Sequence, residues 1–86
     1  MALTQIPPVQ ARVTWDRRHH RPGDVRIGSR RLTVTGLDAV RNETAAFPAG
    51  RGPRITFLVE TDHGPASLVF DGRRRRWFVE ALDQAA

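Results

Sequence analysis

Four consecutive arginines, Arg73 to Arg76, stand between the turn pair Asp71-Gly72 and the aromatic run Trp77-Phe78. Guanidinium groups are planar, permanently charged and fork-shaped, so they suit phosphate and carboxylate oxygens and also stack on rings. Such a run can grip a polyanion, displacing up to about four counterions. It can equally serve as a solvated hairpin tip whose charge discourages edge-to-edge aggregation. A second basic stretch, Arg17 to Arg31, holds six arginines against one aspartate, a local charge of +5. The rest of the chain outside these two stretches is acidic, so the net +5 of the 86 residues is an asymmetry and not a uniformly basic surface. Arg73, Arg74, Arg75 and Arg76 are the first candidates for contact with DNA or RNA phosphates. Arg17, Arg18, Arg30 and Arg31 join them if the turns that carry them lie at the same end of a sheet. Trp77 and Trp15 are the two aromatics placed to stack on the bases of a single strand.

Other chemistry is poorly supplied. The chain has no cysteine, which excludes disulfides, thiolate metal sites and a thiol nucleophile. His19-His20, with Asp16 and Asp24 nearby, sit among arginines that oppose a metal cation. Asp62-His63 resembles half of a catalytic dyad, but Ser29 and Ser67 stand in no activated motif. Gly28, Gly36, Gly50 and Gly52 form no phosphate-loop pattern. The triplet Asn42-Glu43-Thr44 matches a glycosylation acceptor without a secretory signal to make use of it. The expectation is a protein that is not an enzyme and uses neither cofactor nor metal.

The elements that must position these residues are strands. Three runs, Arg54–Thr61, Ala66–Phe70 and Arg76–Leu82, are separated by the turns Asp62-His63-Gly64-Pro65 and Asp71-Gly72. They alternate, with Ile55, Phe57 and Val59 on one face, then Leu68 and Phe70, then Trp77, Val79 and Ala81. This is the pattern of an antiparallel meander. Upstream, Val9, Ala11, Val13 and Trp15 give a first strand, and Asp16 to Gly23 a solvated loop. A hairpin over 24–28 and 31–36 turns at Gly28-Ser29-Arg30. The segment 37–42 either continues that strand or makes a single helical turn. Ala45 to Pro53 is rich in breakers and reads as a loop. The fold class expected is mostly β: a small curved antiparallel sheet, or an SH3-like or OB-like barrel, of five to six strands ending in the meander. A helix-capped α+β sheet is the alternative, weakened by the lack of any sustained 3.6-residue period.

Residues 1–7 read as an N-terminal arm, 8–83 as one small β-domain and 84–86 as a tail. A chain of this length buries only about 60–65% of its unfolded surface, enough for one small core. Phe78 points away from Trp77, and with Leu58 and Leu82 it forms a second apolar face, suited to a homodimer seam or another protein. No apolar run reaches the roughly 18–20 residues needed to span a bilayer, and the N-terminus carries no signal-peptide pattern. The expected setting is the cytoplasm.

From Pro22 onward the chain resembles a small bacterial domain of unknown function. That domain occurs alone in high-GC bacteria and at the C-terminus of proteins related to the Y-family translesion polymerase homologue of the mutasome. The resemblance lies in Val25-Arg26-Ile27-Gly28-Ser29-Arg30-Arg31-Leu32-Thr33-Val34, in Leu37 to Glu43, and above all in Phe57 to Gly64 and Arg76 to Asp83. The chain departs from the pattern at Val40, where an aromatic is usual, and at Leu68-Val69, where a tyrosine often sits. The resemblance implies a non-catalytic accessory β-domain connected with DNA repair or damage-tolerant replication, and a DNA polymerase or other repair protein as partner.

Overall fold

The computed structural model describes residues 3–44 and 52–83. Its six strands are β1 (Leu3–Asp16), β2 (Arg21–Ile27), β3 (Arg30–Asn42), β4 (Arg54–Thr61), β5 (Gly64–Asp71) and β6 (Arg76–Asp83). Each strand is antiparallel to the next, and β6 pairs back onto β1 to close a barrel without a Greek-key crossover. Closure covers the sheet edges that an open sheet of this size would expose, except where β1 runs on past its last pair with β6 at Ala11. No α-helix occurs among the described residues, and the segment 37–42 continues β3.

Alternation fills the interior. Val25, Leu32, Val59, Leu68 and Val79 are almost wholly buried, with Ala11, Val34, Phe57 and Ala66 around them. Outward positions such as Arg12, Arg26, Arg31 and Arg41 carry charge, the inverse of the apolar outer band of a membrane barrel. The long strands β1 and β3 each serve two neighbours. Residues Leu3 to Ala11 of β1 pair with β6, and Arg12 to Asp16 pair with β2.

Several expectations change. The 1–7 arm is part of β1 from Leu3 on, with Leu3, Thr4 and Gln5 paired to Asp83, Leu82 and Ala81. Pro7 and Pro8 sit inside this strand at the register break between Gln5 and Val9, the kind of position where a missing N–H costs least. The expected loop over 16–23 shrinks to four residues, because Arg21, Pro22 and Gly23 belong to β2 and Pro22 is fully buried opposite Trp15. Of the 45–53 loop only Gly52 and Pro53 are described; 45–51 and the 84–86 tail lie outside the described residues.

A bulge corrects the parity of the last strand. Ala66 pairs with Leu82 and Ser67 with Ala81, but Leu68 pairs with Val79. The extra residue in β6 switches the faces, so Leu82 packs on the barrel core and Ala81 does not share the face of Val79. The expected interface trio of Leu58, Phe78 and Leu82 is therefore broken. Leu58 lines a shallow outer groove with Thr56, Ser67 and Glu80, and Phe78 is half-buried on the outer side, paired with Val69. An Arg54–Glu80 ion pair of 2.6 Å joins β4 to β6 across β5 on that side.

Candidate nucleic-acid interface

In a barrel of sequential antiparallel strands, alternate connections share an end. The β1–β2 loop, the β3–β4 connection and the β5–β6 loop lie at one end, and the β2–β3 and β4–β5 turns lie at the other. Arg17 and Arg18 are thus brought to the end that carries Arg73 to Arg76. Arg30 and Arg31 are not. They sit at the β2–β3 turn, where Arg31 donates to Asp24 at 3.0 Å, and that carboxylate raises the guanidinium's pKa further. Arg31 is thereby neutralised by the chain's own acid, although Arg26 links it in register to Arg12 of β1, and the β2–β3 turn flanks the same β1 residues, Gln10 to Arg12, that the start of β6 flanks from the other side.

The two basic loops have the same construction. In the first, Asp16 Oδ1 accepts from the backbone N–H groups of Arg18 and His19 at 3.0 and 3.2 Å. In the second, Asp71 Oδ1 accepts from those of Arg73 and Arg74 at 3.1 and 3.2 Å. Four residues after each aspartate the backbone turns left-handed, at His20 with φ 55° and at Arg75 with φ 54°. An arginine then begins the following strand, Arg21 in one case and Arg76 in the other. The aspartates turn their charge inward to backbone donors, and the loop arginines are left outward and exposed. Left-handed backbone favours glycine, and a residue with a Cβ costs about 1 kcal/mol or more there.

The second loop is also braced from below. The Gly72 N–H donates to the Pro53 carbonyl at 2.7 Å, and a Cβ on Gly72 would fall 2.2 Å from Pro53 Cγ. Only glycine allows that approach, so the end of the β3–β4 connection fixes where Arg73 to Arg76 project.

Aromatic rings join the two loops. Trp15 immediately precedes Asp16, and Trp77 immediately follows Arg76. Both indoles contact the buried Phe57 ring, at centroid distances of 5.9 and 5.4 Å, and Trp77 also meets Phe70 at 5.1 Å. Trp77 is largely enclosed by these contacts. Trp15 meets Phe57 edge-on and is 44% exposed at the barrel mouth.

Sequence reasoning missed Arg12. The β1–β6 ladder stops at Ala11 opposite Trp77, and beyond it a groove of about 480 Å³ opens between β1 and the start of β6. Arg12, Thr14, Arg75, Arg76 and Trp77 line it. Arg12 and Thr14 are next-but-one neighbours on the outward face of a strand, but nothing in the sequence locates the point where β6 leaves β1. The shared spacing from Asp16 to Arg21 and from Asp71 to Arg76 was visible, and it marks the matched loops. Among the described residues, Arg12, Arg17, Arg18, Arg73, Arg75 and Arg76 form no ion pair with a carboxylate, whereas Arg74 has only a 3.9 Å contact to Asp71.

The histidines serve the turns. His19 Nδ1 lies 2.8 Å from Asp16 Oδ2, and His63 Nδ1 lies 2.9 Å from Asp62 Oδ1. The His19 hydrogen bond holds the Asp16 carboxyl below the usual carboxylate range. The Thr33 N–H, donating at 3.0 Å, and then His63 do the same for Asp62. A carboxyl whose pKa is lowered by folding adds stability that is fully present above its unfolded pKa and is lost as pH falls through the folded one. Melting temperature should therefore decline with acid below about pH 4, and Asp16→Asn and Asp62→Asn should each flatten part of that decline. Thermal melts across that range check this, and coincident profiles for all three proteins would remove these carboxylates from the account.

No family model matches the chain, and neither a curated protein nor a solved structure matches it, so the reading of this site rests on its geometry.

Proposed function

We propose that this barrel is a non-catalytic module that binds nucleic acid through phosphate contacts at one end. The observation that carries the reading is the pair of matched loops, each spending an aspartate on its own backbone and presenting its arginines outward. Arg73 to Arg76, Arg17, Arg18 and Arg12 form the grip. Phosphate binding relieves the mutual repulsion of these cations and releases counterions, which supplies sequence-independent affinity. The resemblance to the mutasome-associated domain supplies the setting attached to this reading, an accessory role in DNA repair or translesion synthesis in the cytoplasm.

The test is a titration of fluorescent single- and double-stranded oligonucleotides at about 50 and about 200 mM salt, where affinity should fall steeply with salt. Arg75→Gly sharpens it, because the two readings of that residue predict different outcomes. Relief of the left-handed backbone should stabilise the fold by roughly 1 kcal/mol, and loss of one phosphate contact should weaken binding at low salt. Absence of binding at the lower salt, or unchanged binding in Arg75→Gly together with the stability gain, would leave Arg75 as a mere solubilising charge.

A further inference from the structure

We infer that the ligand is a single strand, seated with its backbone in the groove between β1 and β6 and one base stacked on Trp15; this rests on the polyanion reading above. Three observations converge. The groove sits where β1 runs on past the last β6 pair, so Arg12 to Asp16 are paired to β2 alone and their other edge faces the opening. Its rim carries Arg12, Arg75 and Arg76, with the Thr14 hydroxyl beside them, a set of donors that suits one sugar-phosphate backbone. Trp15 follows Thr14, the last β1 residue lining the groove, and its ring meets Phe57 edge-on at the barrel mouth and is 44% exposed.

Charge alone does not account for Trp15. A large aromatic left half-exposed between two arginine loops gains nothing from a duplex, whose bases are stacked on one another and offer their faces to no side chain. An unpaired base offers both faces, and the indole is already fixed in place, so little rotamer freedom is lost on stacking. Arg17 and Arg18, one turn beyond Trp15, then lie on the path of the next phosphates. Trp77 contributes the groove wall and supports Phe57, and is too enclosed by Phe57 and Phe70 to take a base itself.

The experiment uses the full chain with labelled dT15, rU15 and a 15-base-pair duplex at about 50 mM salt. Wild-type protein should prefer one of the single strands, the dT15 and rU15 arms showing which sugar is taken. Trp15→Ala should reduce the ratio of single-strand to duplex affinity by between about 5-fold and 150-fold, the range for loss of one aromatic–base stack. Trp15→Phe should restore most of that ratio. Where Trp15→Ala fails to fold, emission decides: wild-type fluorescence should be quenched on dT15 binding, and Trp15→Phe, which retains only Trp77, should show much less quenching. Equal affinity for duplex and single strands, with quenching unchanged in Trp15→Phe, overturns the single-strand inference and leaves the electrostatic grip standing. Binding of none of the three probes overturns both. Displacement of dT15 by poly-glutamate as effectively as by unlabelled dT15, charge for charge, would also overturn it, in favour of an acidic peptide at the β1 edge.

Discussion

With Arg73, Arg74, Arg75 and Arg76 all replaced by glutamine, the slope of log affinity against log salt for a single-stranded oligonucleotide should flatten by about 3. Each phosphate neutralised on a single strand contributes about 0.7 to that slope, so four contacts account for nearly the whole change. In affinity terms, these contacts should produce about a 50-fold loss between about 50 and 200 mM salt in the wild type, a loss absent from the variant. Glutamine keeps much of the side-chain stem and removes only the charge. The loop itself should survive, because its backbone is held by Asp71 and by the Gly72–Pro53 hydrogen bond, neither of which depends on a guanidinium. A spatial control is built into the barrel. Arg30→Gln with Arg31→Gln removes two charges at the β2–β3 turn, outside the Arg73 to Arg76 loop and one of them already paired with Asp24, and should flatten the slope much less. Equal flattening by both variants would mean that net charge matters and the site does not.

Leu68→Ala should lower stability by about 2–5 kcal/mol, the range for deleting a buried leucine side chain where the surroundings close only in part. Leu68 has no exposed surface, and its β5 position is opposite Phe57 on β4 and Val79 on β6, in the middle of the closed sheet. A domain of this size has only about 4–13 kcal/mol in total. At 4–8 °C for each kcal/mol, the melting temperature should fall by at least about 8 °C. The same truncation at Val40, which is 52% exposed, should change stability by less than about 0.5 kcal/mol. Thermal or denaturant unfolding of both variants checks the pair. Similar losses at the two positions would contradict a core lying inside the closed sheet. The loss at Leu68 would also act on the site, since Phe57, its register partner, is the ring on which both indoles rest.

Local chemistry made much of this legible in advance. Period-two alternation of Ile55, Phe57 and Val59 and of Leu68 and Phe70 specifies which side chains a strand buries, because successive Cβ atoms point to opposite faces. Glycine-bearing turns set where strands end, and the arginine runs state where charge resides along the chain. All of these depend on residues a few positions apart. Three features do not. The bulge that turned Leu82 inward is a misfit between two strands and exists only once they pair. The end of the barrel at which each arginine lies depends on how many strands precede it, which left Arg30 and Arg31 outside the end that carries Arg73 to Arg76. The groove at Arg12 arises because β1 is longer than its contact with β6. The amino-acid sequence by itself determined a β-domain with its positive charge in two blocks. Only the tertiary structure decided that Arg17 and Arg18 share an end with Arg73 to Arg76 around the rings of Trp15, Phe57 and Trp77, because strand closure is a long-range pairing that no local spacing encodes.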